Sequence, residues 1–119
     1  MSLLFQPLKL RDIVLKNRIG IPPMCQYSAQ DGMAADWHFV HYGSRAVGGA
    51  GLMIVEATAV TPIGRISRGD LGLWKDEQIA PLARIVELAR AHGCVPALQL
   101  AHAGRKASAN VPWGGDDHI

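Results

Sequence analysis

Three short segments of this chain carry side chains that could do chemistry, and each comes at the end of an apolar run typical of a strand. They are Pro22–Tyr27, Val55–Thr58 and Gln99–Lys106. Together they offer a thiol, a phenol, a carboxylate and a primary amide, which can all hydrogen-bond a ligand. In parallel α/β folds, ligands bind at the carboxyl ends of the strands. The spacing therefore predicts one small-molecule site shared by consecutive strands.

The elements that must position these segments alternate between strands and helices. In chain order, the sequence predicts a hairpin of Leu8–Leu10 with Ile13–Leu15, a strand at Ile19–Ile21, a helix from Trp37 to Val47, a strand at Gly51–Val55, a helix after Asp76 and a strand at Val95–Leu100. Residues 61–75 are expected to form a long loop. No regular element is expected after Ala103, and Gly114–Asp117 reads as a polar loop.

Capping residues and apolar stripes indicate how the two helices begin and pack. Asp36 and Asp76 are predicted N-caps, because an aspartate side chain can accept a hydrogen bond from a free helical N–H. Gly93 is expected just after the second helix, as a left-handed C′ residue. The expected packing stripes are Trp37, Val40, Ser44 and Val47 in the first helix, and Ile79, Leu82, Ile85 or Val86, and Ala89 in the second.

This alternation of strands and helices is compatible with two parallel architectures, a doubly wound sheet and a (β/α)₈ barrel. A dinucleotide-binding doubly wound sheet needs G-x-G-x-x-G between the first strand and the first helix. That position holds Pro-Pro-Met-Cys here. The predicted fold class is therefore α/β, as the N-terminal portion of a (β/α)₈ TIM barrel preceded by a β-hairpin.

Composition and charge narrow the classes of function. The chain has 119 residues and a formal net charge of +2, which does not indicate a nucleic-acid partner. No apolar run approaches the roughly 18 residues of a membrane span, so no membrane partner is expected. Cys25 and Cys94 lie far apart and are expected to be free thiols. With no basic start typical of a signal peptide, the sequence predicts a soluble cytoplasmic protein.

Five separate motifs occur in one order along the chain: Lys16–Ile19, Pro22–Ser28, Glu56–Val60, Gly64–Ile66 and Gln99–Lys106. Together they resemble the old yellow enzyme family, and within it the bacterial branch of xenobiotic reductase and the thermophilic-like ene-reductases. The resemblance implies a (β/α)₈ barrel that binds FMN non-covalently and takes hydride from NADPH or NADH. It also implies a small-molecule substrate with an activated C=C bond, such as an enone, which accepts hydride at its β-carbon.

The same resemblance assigns roles to residues of this chain. The implied cofactor-binding residues are Pro22, Pro23, Met24, Cys25, Ala57 and Gln99. Cys25 would tune the redox behaviour of the flavin, which is the catalytic role implied, and Tyr27 would contact the substrate. Gln99 suits the pyrimidine edge of a flavin, because its amide both donates and accepts hydrogen bonds. No metal is implied.

A complete barrel takes about 250 residues, so the resemblance covers only part of one. Residues 1–119 would form the N-terminal part of a single FMN-binding domain, with about the first three of its eight strands. The substrate-anchoring pair, the proton donor and the phosphate site would lie in the remaining barrel segment, which a separate chain could supply. The complete protein is expected to be a homo-oligomer.

Other interpretations of the whole chain stay open at this stage. One is another flavin barrel of the same superfamily, similar to dienoyl-CoA reductase. A second is a non-catalytic barrel fragment that serves as a structural or assembly partner. A third is a cysteine hydrolase using Cys25, although no nearby motif identifies a histidine to orient it.

Four further polar residues have structural as well as functional interpretations. His38 and His41 have the H-x-x-H spacing of a metal site, but no third ligand follows and their helix is expected outside the barrel. Glu56 is expected to form a salt bridge or a hydrogen bond to neighbouring backbone rather than to act as an acid or base. His102 is equally compatible with a place near the site and with a structural role.

Overall fold

The computed structural model describes residues 2–114, so the polar loop expected at Gly114–Asp117 lies outside them beyond Gly114. The elements, in chain order, are β1 (Leu8–Leu10), β2 (Ile13–Leu15), β3 (Gly20–Ile21), α1 (Asp36–Val47), β4 (Leu52–Ala59), β5 (Leu71–Gly72), α2 (Ile79–Ala91) and β6 (Val95–Ala101). Only single turns of 3₁₀ helix supplement them, one at Gly104–Lys106. In the part of the chain that is described, no helix is long and apolar enough to cross a membrane.

The N-terminal strands form the predicted hairpin. β1 and β2 pair antiparallel, with Leu8 opposite Leu15 and Leu10 opposite Ile13. Arg11 adopts a left-handed φ of 52° in the connecting turn. Beyond the hairpin, the Lys16 ammonium donates a hydrogen bond to the His92 carbonyl at the end of α2 (2.6 Å), which ties this outer ribbon to the rest of the molecule.

β4 is the central strand of a parallel sheet. β6 pairs with it along its length, from Leu52 opposite Val95 to Ala59 opposite Ala101. Because β6 takes one edge of β4, β3 and β5 share the other edge, β3 at the start of β4 and β5 at its end. β5 falls within the predicted loop of residues 61–75, so that prediction was wrong at this point. Its pairing also explains why β4 extends four residues past the predicted end at Val55.

The core lies between the sheet and the two helices. It comprises Ala29, Tyr42, Ala46, Ala50, Met53, Val55, Leu71, Leu82, Ile85, Ala89 and Cys94. The predicted face of α2 is confirmed for Leu82, Ile85 and Ala89 but wrong for Ile79, which is 53% exposed. Gly93 has the predicted left-handed conformation, with a φ of 66°.

The predicted packing stripe of α1 was wrong. Trp37, Val40 and Val47 are 51%, 57% and 62% exposed, and Ser44 is exposed as well. The buried face comprises His38, His41, Tyr42, Gly43 and Ala46. Two tertiary contacts explain this rotation: β4 supplies a hydrogen-bonding partner for Tyr42, and a Cβ on Gly43 would lie 2.6 Å from the Leu88 side chain of α2.

The two predicted N-caps were also wrong. Ala35 is the N-cap of α1, and Asp36 is its first helical residue. The His38 Nδ1 accepts the Ala35 N–H (3.0 Å), so a histidine rather than an aspartate binds backbone at this end. Before α2, the Gln78 Oε1 accepts the N–H groups of Trp74 and Lys75. Asp76 only begins the 3₁₀ turn Asp76–Gln78.

Candidate functional site

An irregularity in the sheet brings Ala57 and Gln99 together. Val55 pairs with Leu98 and Thr58 pairs with Leu100, so that Glu56 and Ala57 of β4 both stand opposite Gln99 of β6. Two residues against one is the geometry of a β-bulge, which redirects side chains and interrupts the ladder. The polar segment Val55–Thr58, which was expected at the end of the strand Gly51–Val55, therefore lies within the last part of β4.

The segment that follows β3 reaches the same place. The Gln26 N–H donates a hydrogen bond to the Glu56 Oε1 (3.0 Å), and the Ala57 backbone N–H lies near enough to the Cys25 sulfur to lower the pKa of its thiol. Cys25, Ala57 and Gln99 come from three different strand ends, and the structure gathers them around one bulge. Their roles toward a ligand remain predictions.

The Cys25 thiol is half-buried, and the charges of two carboxylates act on it. Burial raises its pKa most, and the charges of Asp70 and Glu56 raise the pKa further, against a smaller lowering by the Ala57 N–H. At neutral pH this side chain is therefore a neutral thiol. Nucleophilic catalysis needs the thiolate, so the environment of Cys25 weighs against a cysteine hydrolase.

Tyr27 is held in an unusual backbone conformation. Its φ is 52°, in the left-handed region that non-glycine residues rarely adopt. Gly69 packs directly against it, since a Cβ there would lie 2.6 Å from the Tyr27 carbonyl oxygen, and the Ala29 N–H donates to the Gly69 carbonyl (3.0 Å). The Tyr27 ring meets Trp113 edge to face, with centroids 5.7 Å apart. Sequence reasoning did not identify Trp113, because nothing local links it to Tyr27.

The predicted ligand-facing residues differ in exposure. Pro22, Met24 and Gln99 are exposed, whereas Pro23, Cys25, Tyr27 and Ala57 are partly buried. Nothing in residues 2–114 hydrogen-bonds the Gln99 amide, which leaves both its donor and its acceptor for a ligand. The region of the bulge thus combines a free amide, a neutral thiol and irregular backbone. Those groups fit a flat heterocycle with alternating carbonyl and N–H positions.

Behind this surface lies a buried polar network. Glu56 is fully buried, and its Oε2 accepts the Tyr42 hydroxyl (2.6 Å). The Tyr42 oxygen in turn accepts the Glu56 N–H (2.8 Å). Burial first, and then the hydrogen bond to Glu56, raise the pKa of Tyr42 well above its usual range, so the phenol keeps its proton. The expectation that Glu56 hydrogen-bonds neighbouring backbone is confirmed by its contact with Gln26. Tyr42 was missed, because its partner comes from another element.

The histidines of α1 lie on its buried face. His38 and His41 are buried, and the His38 Nε2 lies 3.7 Å from the Glu56 Oε1. Residues 2–114 contain no group of three histidine, cysteine or acidic side chains placed to hold a metal ion. Further along the chain, the His102 Nδ1 accepts the Gly104 N–H (3.1 Å), which gives this side chain a structural contact.

A groove of about 450 Å³ opens elsewhere, between α2 and the sheet. Its lining is mostly apolar, with Val55, Leu82, Val86 and Leu98 among the residues, and Glu87 and Arg90 also line it. None of the seven residues predicted to meet cofactor or substrate lies in it. The groove therefore belongs to the packing face of the sheet rather than to the bulge.

Comparisons with known proteins identify the family of the chain. A family model described as the NADH:flavin oxidoreductase / NADH oxidase family matches residues 3–113. An NADPH dehydrogenase of Listeria monocytogenes is 59% identical over 109 residues, which cover 90% of this chain and 32% of that protein. The chain thus spans about a third of the length of the curated relatives it matches.

Solved structures give the same result for the fold. Morphinone reductase in complex with tetrahydroNAD superimposes with a TM-score of 0.82 and 36% identity, over 91% of this chain and 29% of that one. The Old Yellow Enzyme from Pichia sp. AKU4542 gives 0.83 and 32%, over 90% and 28%. Since these neighbours are TIM-barrel enzymes, the α/β prediction of an N-terminal barrel portion is confirmed.

Proposed function

We propose that this chain forms part of an FMN-dependent NAD(P)H oxidoreductase that reduces activated C=C bonds. The chain belongs to the NADH:flavin oxidoreductase / NADH oxidase family, which supports this proposal. What FMN supplies when bound is two-electron chemistry: it accepts hydride from NADPH or NADH and donates it to the β-carbon of an alkene such as an enone. The observation that carries the proposal is the meeting of Cys25, Ala57 and Gln99 at the β4 bulge.

Each of these residues has a role that its chemistry allows. The Gln99 amide, free of protein partners in residues 2–114, donates to and accepts from the pyrimidine edge of the cofactor. Ala57 contributes main-chain contact where the bulge interrupts the ladder. The segment of Pro22, Pro23, Met24 and Cys25 lines the ring, and the neutral Cys25 thiol adjusts its redox potential as a weak, polarizable hydrogen-bonding group.

In this proposal, Tyr27 contacts the substrate. Its ring stands at right angles to Trp113, and Gly69 packs against the Tyr27 backbone and accepts a hydrogen bond from Ala29, two residues further on. Burial is the largest cause of the raised pKa of its phenol, and the charges of Asp70 and Glu56 contribute further. The phenol therefore stays protonated at neutral pH and can donate a hydrogen bond to a substrate oxygen.

Residues 1–119 form, in this proposal, the N-terminal part of one barrel domain. The relatives are about three times as long, and their remaining strands would correspond to the segment that anchors the substrate, donates the proton and binds the FMN phosphate. That segment completes the enzyme, whether on the same polypeptide or on a separate one, and the complete protein is a homo-oligomer.

The proposed role of Gln99 is tested by FMN titration of the protein with its barrel complete. Gln99→Ala leaves a buried cofactor group without its partner, so we expect FMN binding to weaken by about 1–3 kcal/mol. Gln6→Ala, at the opposite end of the chain, is the matched control and should leave binding unchanged. Equal FMN affinity of Gln99→Ala and wild type would contradict the placement of Gln99. A wild-type protein that retains no yellow flavin after gel filtration from free FMN would favour a non-catalytic assembly role.

A further inference from the structure

The Glu56 carboxylate lies behind the candidate ligand surface rather than on it. It is fully buried, yet both of its oxygens are used: Oε1 accepts the Gln26 N–H (3.0 Å) and Oε2 accepts the Tyr42 hydroxyl (2.6 Å). Burying a carboxylate is costly unless donors surround it. Here the donors come from α1 and from the segment after β3, so one side chain of β4 joins three parts of the fold.

This arrangement requires a carboxylate in particular. Two donors point at the two oxygens of Glu56, whereas an amide of the same shape has only one acceptor oxygen. Tyr42 cannot adjust by reversing its hydrogen bond, because its oxygen already accepts the Glu56 N–H (2.8 Å). A glutamine at position 56 would therefore leave either the Gln26 N–H or the Tyr42 hydroxyl facing an NH₂ group.

The contacts of Glu56 bear directly on Cys25. Gln26, whose N–H is held by Glu56, is the next residue after Cys25. The Ala57 N–H, from the next residue after Glu56, lies near enough to the Cys25 sulfur to lower the pKa of its thiol. Two consecutive residues of the Cys25 segment thus lie close to two consecutive residues of the bulge. Movement of the Gln26 peptide would carry the thiol away from the Ala57 N–H.

We propose that Glu56, supported by Tyr42, is a positioning residue that fixes the Cys25 thiol at the bulge. Glu56 holds the Gln26 peptide, and Tyr42 holds the carboxylate in the one orientation that reaches that peptide. The positioning of the thiol does not depend on the cofactor. The consequence for bound FMN, whose redox behaviour Cys25 adjusts, rests on the proposed function.

The direct test is the reactivity of the thiol without FMN, in the protein with its barrel complete. Timed alkylation with iodoacetamide, followed by peptide mass analysis, reports Cys25 and Cys94 separately. In Glu56→Gln we expect Cys25 to react about tenfold faster. Freeing the segment exposes the thiol and the substitution removes a nearby charge, and both changes lower the pKa of Cys25 by more than loss of the smaller Ala57 contribution raises it. One pKa unit changes a thiolate fraction tenfold. Cys94, 2% exposed on the core side, is the internal control and should react as in wild type.

Glu56→Asp separates position from charge. Aspartate keeps the negative charge but is one carbon too short to reach both Gln26 and Tyr42, so we expect Cys25 in this variant to react faster than in wild type. Wild-type reactivity of Cys25 in Glu56→Asp or in Glu56→Gln overturns the proposal. Faster reaction of Cys94 in both variants also overturns it, because it shows that Glu56 serves the fold as a whole.

A second measurement connects the thiol to the cofactor. With FMN bound, Glu56→Gln should shift the reduction potential of the flavin in the same direction as Cys25→Ala, and the double variant should add little to either. An unchanged potential in Glu56→Gln beside a shifted one in Cys25→Ala contradicts the positioning role. A wild type that binds no FMN refutes the proposed function, while the alkylation result still decides whether Glu56 positions Cys25.

Discussion

The ends of the parallel strands and the groove between α2 and β6 differ in how their side chains are satisfied. At the strand ends, Glu56 and Tyr42 are polar, fully buried and paired with each other. In the groove, apolar side chains such as Leu98 and Val86 line an open space of about 450 Å³. Hydrogen bonds are satisfied by a few well-aimed local partners, whereas hydrophobic stabilisation requires area from many neighbours. The candidate site is thus well supplied with hydrogen bonds, while the packing face still exposes apolar surface.

The largest effect is expected on the packing side of this comparison. Ile85 is 2% exposed in the core, so Ile85→Ala should lower the free energy of unfolding by about 2–5 kcal/mol through lost burial and a cavity. Ile79 is the first residue of α2 and lies exposed in the groove. Ile79→Ala should therefore lower the free energy of unfolding by less than about 1 kcal/mol. Urea unfolding measures both. Equal losses would mean that the groove is covered in solution, and the contrast between the two regions would disappear.

A smaller effect is expected from the polar network. Tyr42→Phe removes the hydroxyl that donates to the Glu56 Oε2 and accepts the Glu56 N–H. Leaving these buried groups unpaired should cost about 1–3 kcal/mol of the free energy of unfolding. The control is Tyr27→Phe, since the Tyr27 hydroxyl makes no hydrogen bond within residues 2–114. Denaturant titrations that show the same small loss for both would remove the distinction between buried network and surface phenol.

The smallest effect belongs to the exposed ion pair at the rim of the strand ends. The hydrogen bond from Lys75, followed by its charge, lowers the pKa of Asp31. Because the folded pKa lies below the unfolded one, this stabilisation is present above the unfolded pKa and is lost as pH falls through the lowered value. The stability difference between wild type and Asp31→Asn should therefore exist at neutral pH, vanish in acid and shrink with salt. A difference that persists in acid and in high salt would refute this account.

Most of the regular structure could be predicted because local patterns determine it. The hairpin follows from two apolar runs around Arg11-Asp12, and the end of α2 follows from Gly93. The buried face of α1 could not be predicted, because two faces of the helix carry large side chains and the more polar face is the buried one. Its Tyr42 is buried by a partner on β4, which no pattern within the helix reveals. β5 was missed because two residues are too few to show any period.

In the candidate site, too, some residues could be predicted from local motifs and others could not. Motif resemblance identified Cys25, Ala57 and Gln99, and the structure brings them together. The network behind them was only partly foreseen: Glu56 was expected to bind backbone, but its pairing with Tyr42 and its hold on Gln26 depend on how three elements meet. The residues predicted to face a ligand come from short motifs, whereas the side chains that hold them in place depend on tertiary contacts.

The two-against-one pairing of Glu56 and Ala57 with Gln99 makes chain length matter as much as residue identity. Deleting one residue at this point would let β4 and β6 pair without interruption, so the sheet itself would tolerate the change. Residues beyond the deletion would keep their partners on β6 and their faces, whereas the local bend and the unpaired backbone of the bulge would disappear. An alignment gap here would therefore mark a protein that keeps the architecture but has lost the irregular backbone of this strand end.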